Sequence, residues 1–152
     1  MWRPRALRAI LLAAALATSA LSCSGKKFMR VEDIPVPPSA RREVIEGAYE
    51  TRLDLAVADA RRVLSERFGR ADVEIFRLDA AAEWGDVERF YEERLGAAGL
   101  TRDSGYTTEH NKYKLAAWKL SGGDGLAVAL IDAGTTDDNT PLKFLAVFRP
   151  TN

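Results

Sequence analysis

Cysteine and histidine are nearly absent from the chain, which has one of each, Cys23 and His110. A single thiol cannot close a disulfide within the chain, so an apolar core has to stabilise the fold. One His and one Cys also fall short of the three or four ligands that a zinc site takes. An excess of charge of either sign is lacking too: 22 Lys and Arg stand against 22 Asp and Glu. That balance argues against a nucleic-acid partner or a polybasic membrane surface. No apolar run reaches the roughly 20 residues that cross a bilayer as a helix. A phosphate-cradling loop is missing as well, because Gly122, Gly123 and Gly125 precede neither a helical pattern nor a Lys-Ser/Thr pair. No metal or cofactor is expected.

The N-terminus, by contrast, is strongly patterned. Arg3, Arg5 and Arg8 occur without an acid, and Ala9 to Leu21 is almost wholly apolar before a small-residue exit. That order predicts a secretory signal peptide over residues 1–22. Ala20-Leu21-Ser22-Cys23 resembles a bacterial lipobox, although lipoboxes usually carry Leu three residues before the Cys, where this chain has Ala20. Ala20 and Ser22 also suit ordinary signal peptidase. The resemblance implies cleavage before Cys23 and acylation of its thiol, which would account for the lone cysteine and anchor the chain in a membrane. Ser24 in place of Asp implies an outer-membrane position facing the periplasm. Without residues 1–22 the chain has 19 basic residues against 22 acidic ones.

Residues 23–39 read as a tether, since Pro35, Pro37 and Pro38 favour extended backbone and withhold donors. A single α+β domain is expected over residues 40–152. Ile45, Tyr49, Leu53, Ala56, Ala60, Val63, Leu64 and Phe68 step mostly by three or four and predict a helix over Leu53 to Phe68. Arg41 to Arg52 stays open between helix and strand, because Tyr49, Thr51, Leu53, Leu55 and Val57 also alternate. Val73 to Leu78 reads as a strand. Trp84, Val87, Phe90, Tyr91, Leu95 and Ala98 form the apolar stripe of a second helix, with Phe90 near its middle and expected to be well buried, and with Glu88, Arg89, Glu92 and Glu93 opposite. Tyr113–Leu120, Leu126–Asp132 and Leu142–Arg149 predict three further strands, the first two joined by a glycine-rich hairpin. The simplest assembly is two helices on one face of a roughly four-stranded, mostly antiparallel sheet. The stretches Asp33 to Ala40 and Trp84 to Leu100 resemble small bacterial envelope lipoprotein domains. In those domains a Phe-Tyr pair precedes a Leu and a closing Gly, usually followed by Trp where this chain has Leu100.

Candidates for chemistry are few. His110 is a possible general base with Glu109 or Ser104, set against a solvated loop histidine without partners. Asp132, Asp137, Asp138 and Asn139 offer oxygen ligands, but they match no calcium loop spacing and suit a turn between strands. Trp84, Phe90 and Tyr91 read as core rather than as a ligand cage. The expectation is therefore a lipid-anchored envelope protein with a non-catalytic binding or structural module, which takes an envelope protein, peptide or lipid partner. The alternative is a hydrolase-like periplasmic enzyme centred near His110.

Overall fold

The computed structural model describes residues 33–44, 47, 49–106, 108–110, 112–120 and 125–151, apart from the side chains of residues 67 and 108–110. Helix α1, Glu50–Phe68, forms because Leu53, Ala56, Val57, Ala60 and Leu64 share one face and are all buried. It resolves the open stretch in favour of helix from Glu50 onward, and it leaves Leu55 58% exposed. A strand would have buried Leu55 beside Leu53 and Val57. The helix ends at Gly69, whose N–H closes on the Ser65 carbonyl at 3.1 Å.

Strand β1, Arg70–Arg77, leads to helix α2, Trp84–Ala97. Then come β2, Thr101–Arg102, a 3-10 turn at Ser104–Tyr106, and β3, Thr108–His110. Long strands close the chain: β4 Tyr113–Lys119, β5 Gly125–Thr135 and β6 Pro141–Thr151. Among the described residues, six strands make one antiparallel sheet in the order β1-β6-β5-β4-β2, with β3 beside β2 on the same edge of β4.

An α+β domain with two helices packed on an antiparallel sheet is therefore the architecture. The expected single covered face is corrected, as is the count of four strands. Leu115, Ala117, Ala127, Ala129, Ile131, Phe144 and Phe148 meet α1, whereas Ala116, Trp118, Leu126, Val128, Leu145 and Val147 belong to the α2 side. Neighbours along a strand point to opposite faces, so α1 and α2 lie on opposite sides of the sheet. The reason is legible in Leu115–Trp118, Leu126–Ile131 and Phe144–Phe148: consecutive apolar residues need cover on both faces. The α1 side is floored by Ala117, Ala127, Ala129 and Ala146, facing Ala56 and Ala60 of the helix.

The expected tether is corrected over its last part. Ile34, 4% exposed, joins the α2-side core, and Pro37 is buried too. Arg41 then bridges Arg77 on the outer edge of β1.

Candidate functional site

Two polar clusters fix the helices on the sheet. On the α2 side, the Trp118 indole is fully buried and donates its Nε1–H to Glu92 at 2.9 Å. The Arg102 guanidinium lies 4.8 Å above that ring and reaches Glu88 at 2.6 Å and Glu92 at 3.7 Å. On the α1 side, the Tyr113 hydroxyl donates to Asp59 at 2.8 Å, and Arg62 donates to the other oxygen of that carboxylate, also at 2.8 Å. Burial, then the Asp59 hydrogen bond and charge, push the Tyr113 phenol up to about 12. Asp103, 5% exposed, accepts from the Gly105 N–H at 3.1 Å and faces Lys119 at 3.4 Å, which holds the 3-10 turn.

The stripe of α2 is placed as expected, but its centre is not. Val87, Tyr91 and Leu95, four residues apart, are buried, while Trp84 and Phe90 are half-buried on the flanks. Phe90 packs edge-on against Tyr91, with ring centroids 5.2 Å apart, and carries Arg94 5.5 Å over its outer face. The Tyr91 hydroxyl is buried without a hydrogen-bond partner among the described residues, and its pKa is driven far up by burial.

A cleft of about 430 Å³ opens where α2 begins. One wall is the turn Ala82–Gly85 with the Trp84 side chain, and the other is the end of the sheet, through Lys112, Lys114, Leu130, Asp132 and Lys143. The register explains the grouping. Lys114 pairs with Leu130 across β4 and β5, Asp132 pairs with Lys143 across β5 and β6, and the Asp132 N–H donates to the Lys112 carbonyl at 3.0 Å. Lys143 Nζ donates to the Ala82 carbonyl at 2.6 Å and so ties the sheet to the turn that precedes α2. Asp132 Oδ1 accepts from the Gly134 N–H at 2.9 Å, at a bulge where Gly134 has φ 103°. That conformation is open to glycine, and a Cβ there would meet Arg52 Nη1 at 2.6 Å.

Among the described residues, those singled out in the sequence do not converge. Cys23 and the leader lie outside the described residues. Backbone pairing sets His110 opposite Tyr113 in β3, and its side chain, like that of Glu109, also lies outside them. Ser104 sits in the 3-10 turn after β2, which pairs with the far end of β4. In the acidic cluster, Asp138 bonds to the Thr136 hydroxyl and the Thr140 N–H, contacts that hold its carboxyl below the usual range. Asn139 has φ 62° and donates its N–H to the Thr136 carbonyl at 2.9 Å, closing the β5–β6 turn. Asp132 stands apart in the cleft. Among the described residues no group of three His, Cys, Asp or Glu is placed to hold a metal, and no helix is long and apolar enough to cross a membrane.

Sequence reasoning passed over the cleft lysines. The signal was there in Lys114, Asp132 and Lys143, charged residues at one end of strands whose central residues are apolar on both faces. Compared with protein-family models, curated proteins and solved structures, the chain finds no match.

Proposed function

We propose that the chain is a lipid-anchored bacterial envelope protein, exported by residues 1–22, acylated on Cys23 and facing the periplasm, whose domain is a non-catalytic binding module. The basic and apolar leader ending at a lone cysteine supports the anchor, and Ser24 favours the outer membrane. The make-up of the cleft carries the binding role. Among the described residues its walls offer an indole, a leucine, three ammonium groups, two carboxylates and Tyr113, whose hydroxyl is bound to Asp59, without Ser, Thr, Cys or His. Such a lining carries no Ser, Thr or Cys nucleophile beside a histidine base among the described residues, and its indole and ammonium groups suit holding and orienting a ligand.

Two measurements test this reading. An alkynyl palmitate analogue fed to the producing cells should label the protein and leave Cys23→Ala unlabelled; an unmodified Cys23 thiol in the mature protein would overturn the anchor. In a thermal-shift screen of small organic compounds, binders should raise the midpoint of the wild type and not of Trp84→Ala. Turnover of a screened compound that is lost in His110→Ala would instead favour an enzyme.

A further inference from the structure

The cleft's charges are arranged, not merely collected. Lys112, Lys114 and Lys143 come from the loop before β4, from β4 and from β6, and they meet at one end of the sheet beneath the first turn of α2. Lys143 is held there by the Ala82 carbonyl. The two acids on the lining are Glu83 and Asp132. Glu83 precedes the helix and makes no side-chain capping bond, and Asp132 already accepts the Gly134 N–H. The lining as a whole is left with an excess of one positive charge.

Helix geometry adds to this. The N–H groups of Trp84 and Gly85 precede the helix's own hydrogen-bond ladder, which starts with Asp86 and Val87 donating to the Glu83 carbonyl. They carry the partial positive charge of the helix start; no side-chain capping bond is made there, and the first-turn acid, Asp86, is paired with Arg89. Half-buried Trp84 and Leu130 supply apolar surface directly beside these donors. A volume of about 430 Å³ falls within the range of small-molecule sites.

We propose that this cleft binds an organic anion, a phosphate, carboxylate or sulfonate on an apolar body, with the anion among Lys112, Lys114 and Lys143 and the body between Leu130 and the Trp84 indole. The proposal rests on the binding-module reading and names its ligand class. An aromatic or acyl body gains from the indole and leucine, and the anion gains from ammonium groups in a partly water-excluded cleft.

The test uses the full chain in nanodiscs of neutral phosphatidylcholine, titrated calorimetrically with phenyl phosphate, inorganic phosphate and benzyl alcohol. Phenyl phosphate should bind at least about tenfold more tightly than either half alone. Its affinity should fall as salt rises from about 0.05 to about 0.5 M. Lys112→Met, Lys114→Met and Trp84→Ala should each weaken it by about fivefold or more, while Lys119→Met, outside the cleft beside Asp103, should leave it unchanged. Lys112 is exposed, so its variant reports on binding without threatening the fold.

Equal, Trp84-dependent binding of benzyl alcohol would overturn the anion and leave the module reading standing. Absence of saturable, Trp84-dependent binding by all three probes would overturn the site, with the palmitate result deciding the anchor separately. Adding phosphatidylglycerol to the nanodiscs separates the two sources of such an anion. Displacement of phenyl phosphate would support the proposal with a lipid headgroup as occupant, and unchanged affinity would support it with a soluble one.

Discussion

At the scale of single residues, two tyrosines show opposite ways of burying a hydroxyl. Tyr91 is wholly buried, and its hydroxyl lacks a partner among the described residues. An unpaired buried hydroxyl costs about 1–3 kcal/mol, so Tyr91→Phe should unfold at an equal or higher denaturant midpoint. Tyr91→Ala should lose about 3–5 kcal/mol, and Phe90→Ala clearly less, because Phe90 is only half-buried. That order reverses the sequence-based expectation that Phe90 centres the stripe. Spacing named the face of α2 correctly, but the choice between adjacent aromatics turned on about 100° of helix rotation, which the sheet decides. Tyr113 makes the contrasting case, with a hydroxyl bound to Asp59. Its folded phenol titrates near 12 rather than 10. The folded state then holds a proton that the unfolded state gives up, so this contribution is complete below about pH 10 and is lost as pH rises towards about 12. The stability difference between wild type and Tyr113→Phe should shrink across that window in urea titrations. A difference that stays constant would remove the linkage.

At the scale of elements, α2 and its partners show how a solvent-facing residue can matter to the core. Glu92 lies off the apolar stripe, and a solvent-face position predicts a change within about 0.5 kcal/mol on truncation. Its carboxylate, however, is the acceptor for the buried Trp118 indole and sits beside Arg102. Glu92→Ala should therefore cost about 1–3 kcal/mol, whereas Glu93→Ala should stay near zero. Matching midpoints for the two variants would sink this assignment. Periodicity revealed both helices and the four long strands, because each carries its own pattern. The short strands β2 and β3 were not legible: two or three residues carry no period, and they exist through pairing with β4. The placement of the helices was legible in principle, since strands apolar at consecutive positions demand two covered faces. The cleft was legible only as lysines out of place, because the register that gathers them spans three strands and a loop.

At the scale of the whole molecule, the domain begins earlier than composition suggests. A proline-rich segment reads as linker, yet Ile34 contributes to the core on the α2 side. Composition could not show this, because a lone isoleucine among prolines has no periodicity to identify its partners. Ile34→Ala should cost about 2–5 kcal/mol, and a chain starting at Ser39 should lose at least as much relative to one starting at Asp33. Equal urea midpoints for those two chains would return the segment to the linker.

The two edges of the sheet have unequal fates in a crowded compartment. The outer edge of β4 is taken up by β2 and β3, while the outer backbone edge of β1, among the described residues, pairs only with Arg41. A row of unpaired amides is an invitation to self-assembly. This row is guarded: Arg70, Asp72, Glu74 and Arg77 mix signs along it, and Arg42 is salt-bridged to Glu74. A second copy docking there would have to strip water from these charges or displace Arg42. Asp72→Val with Glu74→Val should remove that guard and raise light scattering with protein concentration, at little cost to the core. The mixing of charge signs along β1 thus has a local use, keeping neighbouring copies of the domain from merging their sheets.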